Sequence, residues 1–510
     1  MGARAAPVAD IVLKGGTIYD GSDRPPFVGD VAITGDRISR VGPGGPATAR
    51  RVIDVRGLIV APGFIDPHTH AEITGDAQAR RLAPWLAQGV TTIVTGNDGY
   101  GTYDIAGQTR ALAANPIGPN MSSYVGFGAV RTAVVGEGAD APTAAQLAAM
   151  QALVARGMCD GAIGLSTGLY YPPQKYAETA EVLALAREAG RRGGLYDTHL
   201  RDEMTVKGQL AAIDEALQIG RDAGMPVHLA HLKAPGSEWI GHGSELLAHV
   251  QAARAAGQAV TADQYPYTAS GTSLIAALLP GWAQAGGIAA IKARIDDASP
   301  AGMEARTRLL AAMAENLQRR GGAENFLFTA PGRAWSGRRL DAVAKGWGID
   351  PRDAALRIIH DDPEGAALAV FSMAEPDIAT IMQAPFVVTG SDGVAGHPRI
   401  AGTFAQKYRE FVVDRHVISL ARFIRQSTGR TADILKLDRR GYLRPGWFAD
   451  VVVFDPARYA PRADYAHPDD LAEGVTTLLV NGQLAIDGGR LGTALSGRVL
   501  RRTGVPHCPA

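Results

Sequence analysis

Val60-Ala61-Pro62-Gly63-Phe64-Ile65-Asp66-Pro67-His68-Thr69-His70 is the stretch on which the fold turns. An apolar run ends abruptly in two imidazoles separated by one residue. Side chains alternate along an extended strand, so residues 68 and 70 point to the same side. Two neutral imidazoles on one face make half of a divalent-metal site, and a strand end is a rigid place to hold one. A surface pair beside a turn would look the same in isolation, but the preceding apolar strand favours the metal. The other ligands must then come from later in the chain.

Downstream of His70, apolar segments alternate with alanine-rich helical ones. Strand candidates lie around 63–66, 90–95, 123–126, 162–166, 194–198, 226–230, 259–264 and 386–389, with helical periodicity over segments such as 178–192 and 207–223. Eight such alternations predict an α/β chain whose centre, residues 62–436, is a TIM-like (β/α)8 barrel. The stretch from about 268 to 384 is too long for one crossover. It predicts a helical insertion after the seventh strand, clearest over 288–295 and 305–319, on the face where a barrel keeps its active site and where a lid would sit.

Both chain ends have a different texture. Asp10-Ile11-Val12-Leu13-Lys14 precedes Gly15-Gly16, Thr17-Ile18-Tyr19-Asp20 precedes Gly21, and further short strands follow over 30–34 and 37–41. Near the other end, 449–455 reads as a strand, and Thr477-Leu478-Leu479-Val480 meets Leu484-Ala485-Ile486 across Asn481-Gly482, a strong hairpin signal. Residues 8–61 and 437–502 are therefore expected to form one small β-sandwich domain.

Composition narrows the function. The 510 residues are 46% hydrophobic and 20% charged, as in ordinary globular proteins. With 51 basic and 51 acidic residues, the basic excess that a nucleic-acid or membrane surface requires is missing. The first seven residues lack a secretory h-region and no apolar run approaches bilayer length. The only two cysteines, Cys159 and Cys508, make a disulfide framework unexpected and a reducing, cytoplasmic setting the simpler assumption. Gly42 to Gly45 lacks the strand-to-helix context of a phosphate loop.

The candidate chemistry falls at strand ends. The fifth strand closes in Tyr196-Asp197-Thr198-His199, the sixth in Val227-His228-Leu229-Ala230-His231, and the eighth in Val388-Thr389-Gly390-Ser391-Asp392-Gly393. A lone histidine at any of these points would be structural more often than not. His68, His70, His199, His231 and Asp392 on one rim are better explained by a metal. His228, three residues from His231, diverges from it and reads as structural. His242, His249, His360, His416, His467 and His507 lie away from the strand ends and have no partner at ligand spacing.

The order His-X-His, His, His, Asp on strands one, five, six and eight resembles the metal-dependent amidohydrolase superfamily. Gly161-Ala162-Ile163-Gly164-Leu165-Ser166-Thr167-Gly168-Leu169, Thr198-His199-Leu200-Arg201-Asp202-Glu203, Ala230-His231-Leu232-Lys233, Asp263-Gln264-Tyr265-Pro266-Tyr267-Thr268 and His397-Pro398-Arg399 are similar to one branch of it, the N-acyl-D-amino-acid deacylases, over about Val8 to Pro456. The resemblance implies hydrolysis of a small N-acyl-D-amino acid, with zinc, one ion or two, as cofactor. His199 and His231 would hold the tighter ion, His68 and His70 a weaker one, and Asp392 would be general base and then acid. Two departures from that branch stand out, at Asp98 and Phe127. Where that branch has a zinc-binding cysteine in Gly-Asn-Cys-Gly, this chain has Gly96-Asn97-Asp98-Gly99. The carboxylated lysine that other relatives carry on the fourth strand has no counterpart in 162–167. Asp98 is thus the candidate third ligand, and its harder oxygen donor would also suit manganese or cobalt. Phe127 stands where relatives have a histidine.

The implied substrate carries a carboxylate, which needs a cation or several donors. Lys233 shares the strand side of His231, and Arg399 follows Asp392 with a fork suited to a carboxylate. Tyr265, Tyr267, Ser270 and Ser273 follow the seventh strand and can add hydroxyls. A cyclic amidase or isoaspartyl-type dipeptidase is the nearest enzymatic alternative, and the absent fourth-strand lysine speaks against it. A non-catalytic scaffold would not need the full set of ligands. Oligomeric state is left open, a homo-oligomer included.

Overall fold

The computed structural model describes residues 9–44 and 49–508. Expectations that touch residues 1–8 or Gly45 lie outside the described residues. Two parallel sheets carry the centre. One consists of Phe64–Asp66, Val90–Thr95 and Asn120–Ser123; the other of Val125–Gly126, Gly164–Gly168, Leu195–His199, Val227–Leu229, Val260–Gln264 and Val387–Thr389, each in chain order. The expected third strand is broken at Tyr124, and its halves belong to different sheets. At that seam Tyr124 N–H donates to Thr95 O (3.1 Å) and Ile163 N–H to Ser123 O (3.0 Å). At the far seam a parallel bridge joins Thr69 to Gly393. Val90–Thr95 is buried at every position because both faces of the sheet are covered, which is why these strands read as apolar runs without alternation.

The intervening helices are terminated by local chemistry. Ala144–Cys159 starts with a Thr143/Gln146 capping box, and Val206–Ala223 starts at Thr205 and ends at Gly224, whose φ of 67° favours a residue without Cβ. Their inward residues, Val154, Met158, Ile213 and Leu217, join the strands' Leu165, Tyr196 and Val227 in one core.

Both chain ends enter a single nine-stranded sheet. Gly15-Gly16 does not separate two strands as the sequence suggests. Ala9–Ile18 is continuous, with a bulge there: Gly15 adopts φ 79° and its N–H donates to Asp30 Oδ1 (2.8 Å). Asn481 and Gly482 have φ 50° and 77°, as a type I′ hairpin requires. Ile59–Pro62 pairs antiparallel with Val451–Phe454, so the C-terminal part grips the chain just before Phe64 and His68. Strand parity divides the two faces of Val451–Phe454. Val451 and Val453 pack with Leu13, Val31 and Val60, while Val452 and Phe454 face Phe64, Trp85 and Phe404. Phe64 stacks on Phe404 at 5.6 Å and meets Phe423 edge-on at 5.4 Å, anchoring the histidine-bearing strand.

The segment after Val260–Gln264 is not purely helical. It contains the expected helices, as Gly287–Asp296 and Pro300–Arg319, but also an antiparallel sheet of Ala269–Ser273, Ala367–Phe371 and Phe326–Phe328. Short strands of three to five residues far apart in the chain leave too little periodicity to be seen beside long helices.

A disulfide was not expected, yet Cys159 and Cys508 are bonded, with Cα atoms 5.5 Å apart. The bond ties the C-terminal tail to the helix Ala144–Cys159, and the tail is further held where Leu500 N–H donates to Met121 O (2.7 Å). Cysteine count alone cannot reveal such a pair, because its members lie 349 positions apart and only folding brings them together. The assumption of a reducing compartment thereby loses its basis. Denatured, unreduced protein is expected to show no free thiol in a colorimetric titration and two after reduction; two before reduction would mean that the bond does not form. Among the described residues, no helix is long and apolar enough to cross a membrane.

Candidate metal centre and pocket

The tips of the parallel strands converge on one cavity of about 370 Å³. The first tip is locked to the last: Asp392 N–H donates to His68 O (2.9 Å), His70 N–H to Gly393 O (3.0 Å), and Asp66 accepts from Ser391 N–H (2.9 Å) and Trp85 Nε1 (3.0 Å). After the second strand, Asn97–Gly99 forms a tight turn. Asn97 Nδ2 donates to Pro67 O (3.1 Å), Gly99 N–H to Ser166 Oγ (3.1 Å), and Gln174 Nε2 to Asp98 O (2.9 Å). A Cβ at Gly168 would lie 2.4 Å from Asp98 O, so the fourth strand needs glycine there for the turn to dock. Asp98, His231 and Asp392 have φ of 55°, 37° and 47°. Left-handed backbone costs a non-glycine residue about 1–2 kcal/mol, and such strain collects at working sites.

Of three donor groups among the described residues, two share Asp98, and the third is Asp197, His228 and Asp263. His68, His70, Asp98 and Asp392 form one; Asp98, His199 and His231 form the other, each with donor atoms within 4.8 Å of one another. Asp98 Oδ1 lies 3.5 Å from His68 Nε2 and 3.9 Å from His231 Nε2, and its Oδ2 lies 3.4 Å from His70 Nε2 and 3.7 Å from His199 Nδ1. Asp392 Oδ1 stands 3.1 Å from His70 Nε2 and 3.5 Å from His68 Nε2.

These groups suit a divalent cation. Both ring nitrogens of His68 and Oδ1 of Asp98 are buried without a hydrogen-bond partner among the described residues, a costly arrangement that a cation would relieve. The electrostatics point the same way. Burial pushes the His68 imidazole down, but Asp98, Asp392 and Asp263 together hold it well above its ordinary value. Burial likewise opposes the charge on His199, yet Glu203 and Asp98 raise it to about 9. The centre thus carries enough negative charge to attract protons where a cation would stand.

A buried polar layer supports the candidate ligands. His228 Nε2 lies 3.0 Å from Asp263 Oδ2 and its Nδ1 2.8 Å from Thr261 Oγ1, while Asp263 Oδ1 accepts from His231 N–H (3.1 Å). Asp263 Oδ2 is also 3.6 Å from His68 Nδ1, so it can orient that ring. Phe127 opens a helix and is buried in the core, away from the cavity lining.

The expected substrate contacts separate. Lys233, Tyr265, Ser270, Ser273 and Arg399 line the cavity. Tyr267 does not: the chain bends at Pro266, and the ring packs edge-on against His397 at 5.5 Å. Lys233 is less free than its strand position suggests, since Nζ donates to Glu203 (2.7 Å) and lies 2.8 Å from His231 Nδ1. Ser273 Oγ accepts from Ala276 N–H (3.1 Å) as a helix cap, whereas Ser270 makes no side-chain hydrogen bond among the described residues. Arg399 is 1% exposed, places Nη1 2.8 Å from Asp392 Oδ2 and stacks over Tyr265 at 4.8 Å. His397 Nδ1 accepts from Arg399 N–H (3.1 Å) and holds that turn.

Sequence reasoning missed several residues of the wall. Glu203 joins Lys233 to His199, whose Nε2 lies 3.3 Å away. It was legible only as part of the Thr198–Glu203 motif, without a role. Tyr171 meets the His199 ring at 4.8 Å, Tyr170 at 5.6 Å, and Tyr100, 58% exposed, stands at the mouth. Arg320 comes from the end of the insertion's longest helix, which no strand-end rule could have placed here.

Asp98 is open to a direct test. Asp98→Ala should lose metal after mild chelation while circular dichroism reports an intact fold, because both donor groups lose their shared member. Asp98→Cys, which supplies the thiolate of the resembled branch, should retain zinc more tightly. Wild-type stoichiometry and activity in Asp98→Ala would remove this residue from the ligand set.

Residues 51–486 match the model of a family described as the amidohydrolase family. The chain is 34% identical to a D-aminoacylase of Alcaligenes xylosoxydans xylosoxydans over 521 aligned residues, 97% of this chain and 98% of that protein. An N-acyl-D-aspartate deacylase of the same organism is also 34% identical, covering 96% and 95%. Among solved structures, the N-acyl-D-glutamate deacylase of Bordetella bronchiseptica, complexed with zinc and a phosphonate that mimics the tetrahedral intermediate, superposes with a TM-score of 0.81 at 30% identity, covering 97% of this chain and all of that one.

Proposed function

The chain belongs to the amidohydrolase family, and on that premise we propose that it hydrolyses the amide bond of N-acyl-D-amino acids, releasing a carboxylate and a D-amino acid. The observation that carries this is Asp98 between two imidazole groups, at the floor of a cavity that also presents Asp392 and Arg399. We read the two parallel sheets as arcs of one (β/α)8 barrel over 62–436, seamed at Tyr124 and at Thr69–Gly393. We assign the described residues of 8–61 and 437–502 to one β-sandwich domain, and 268–384 to the insertion that walls the cavity.

Zinc, as one ion or two, fits the donors; bound there it would lower the pKa of water toward about 7 and polarise the amide carbonyl. His199, His231 and Asp98 would hold the first ion, and His68 and His70 with Asp98 a second. Asp392 takes the proton of the attacking water as its oxygen bonds to the carbonyl carbon, and returns it to nitrogen as the C–N bond breaks. Arg399 and the Ser270 and Tyr265 hydroxyls receive the α-carboxylate. Glu203 holds Lys233 and His199 in place. With carbonyl, carboxylate and side chain fixed at separate points, only one enantiomer directs its amide to Asp392.

Hydrolysis of matched N-acetyl-D- and N-acetyl-L-amino acids with added zinc tests the reading. Strong preference for the D series is expected; comparable rates on L substrates would overturn it. A metal-free, inactive but folded protein would support the scaffold instead.

A further inference from the structure

Asp197, His228 and Asp263 form a donor group of their own, with one donor atom from each within 4.8 Å of the others. All three are 0% exposed, and none lines the cavity. They sit on three adjacent strands. Asp197 is the cross-strand partner of His228, and His228 is the partner of Thr261, two residues before Asp263. Strand parity therefore turns all three side chains to the same interior.

The group is under-satisfied. Asp197 accepts one hydrogen bond, from Asn97 Nδ2 (3.2 Å), while its Oδ1 is buried without a partner. The Tyr124 hydroxyl, also buried and unpartnered among the described residues, has Asp197 and Asp263 as its charged neighbours. Asp66 shows the contrast: it is equally buried, but Ser391 N–H and Trp85 Nε1 satisfy it. His228 adds a second deficit. Thr261 Oγ1 donates to Val227 O (3.4 Å), so it receives a hydrogen from His228 Nδ1 (2.8 Å). A neutral ring then turns its Nε2 lone pair to Asp263 Oδ2 at 3.0 Å, acceptor against acceptor. Two buried carboxylates and an imidazole so placed need positive charge among them. No lysine or arginine nitrogen lies within 4.0 Å of either carboxylate among the described residues.

We propose that Asp197, His228 and Asp263 hold a divalent metal ion of their own, closed off from the cavity and structural rather than catalytic. One imidazole nitrogen and two carboxylate oxygens suit zinc or manganese; calcium and magnesium favour oxygen alone, and copper(I) favours sulfur. The hydrogen bond from Nδ1 to Thr261 is the outer contact that a metal-bound imidazole ordinarily makes. The ion would brace Leu195–His199, Val227–Leu229 and Val260–Gln264 against one another. Its influence would reach the centre through Asp263 Oδ1, which accepts from His231 N–H (3.1 Å), and through Asn97, which joins Asp197 to the turn carrying Asp98. The site is independent of the reaction proposed above.

Protein produced with zinc present is crystallised, and its anomalous scattering is recorded on both sides of the zinc edge. A peak bounded by Asp197, His228 and Asp263 is expected; its absence would overturn the proposal and mean that these side chains share protons instead. Metal counting gives a second reading. Asp98→Ala should keep one zinc per chain after mild chelation, released only on denaturation because the site is closed to solvent. Asp98→Ala combined with His228→Gln, or with Asp197→Asn, should keep none. Zinc that survives both second substitutions lies elsewhere and overturns the assignment, as does a chelated Asp98→Ala protein that holds no zinc. The anomalous measurement uses the unaltered chain, so it decides the question even if the variants do not fold.

Discussion

Asp392→Asn is expected to keep its metal and to lower turnover on the order of a hundredfold or more. The amide preserves the shape of the side chain but cannot take up a proton from water. Metal should remain because one donor group, Asp98, His199 and His231, does not include Asp392. The backbone should hold as well: Asp392 N–H still donates to His68 O, and asparagine tolerates the left-handed φ of 47°. Metal analysis beside steady-state kinetics separates the two quantities. Near-normal turnover at full metal content would remove Asp392 from the mechanism.

Arg399→Ala is expected to cost roughly 2–5 kcal/mol of transition-state binding on a free acid, about thirtyfold to a few thousandfold in kcat/KM. The structure splits this loss in two. Because Nη1 lies 2.8 Å from Asp392 Oδ2, the variant also frees the carboxylate proposed as general base, which lowers the rate whatever the substrate. The remainder is the proposed contact with the α-carboxylate, so the matching carboxamide should lose distinctly less. Equal losses on acid and amide would leave Arg399 only the task of holding Asp392.

Much of this site was legible as strand ends. His68, His70, His199, His231 and Asp392 follow apolar strands, and side-chain parity puts the first pair on one side whatever else the chain does. Asp98 was visible only as the carboxylate in Gly96-Asn97-Asp98-Gly99, set against the cysteine of a resembled branch. Its place between both donor groups depends on a left-handed turn clamped by Gln174 and Ser166. The partners of charged groups were illegible. Nothing local joins Arg399 to Asp392 in preference to a substrate, or Lys233 to Glu203, since electrostatic pairing is decided by distances across the cavity.

By itself the sequence determined the periodic features: apolar strands that must be covered on both faces, amphipathic helices between them, the Asn481-Gly482 hairpin, and the residue types able to hold a metal. These depend on neighbours a few positions apart, where backbone geometry is nearly fixed. The tertiary structure alone decided the break at Tyr124, the three short strands of the insertion, the turning of Tyr267 away from the cavity, the bond between Cys159 and Cys508, and the entry of Arg320 into the wall. Each of these depends on which distant segments pack together, and that follows from burying surface over the whole molecule, which no local window of residues contains.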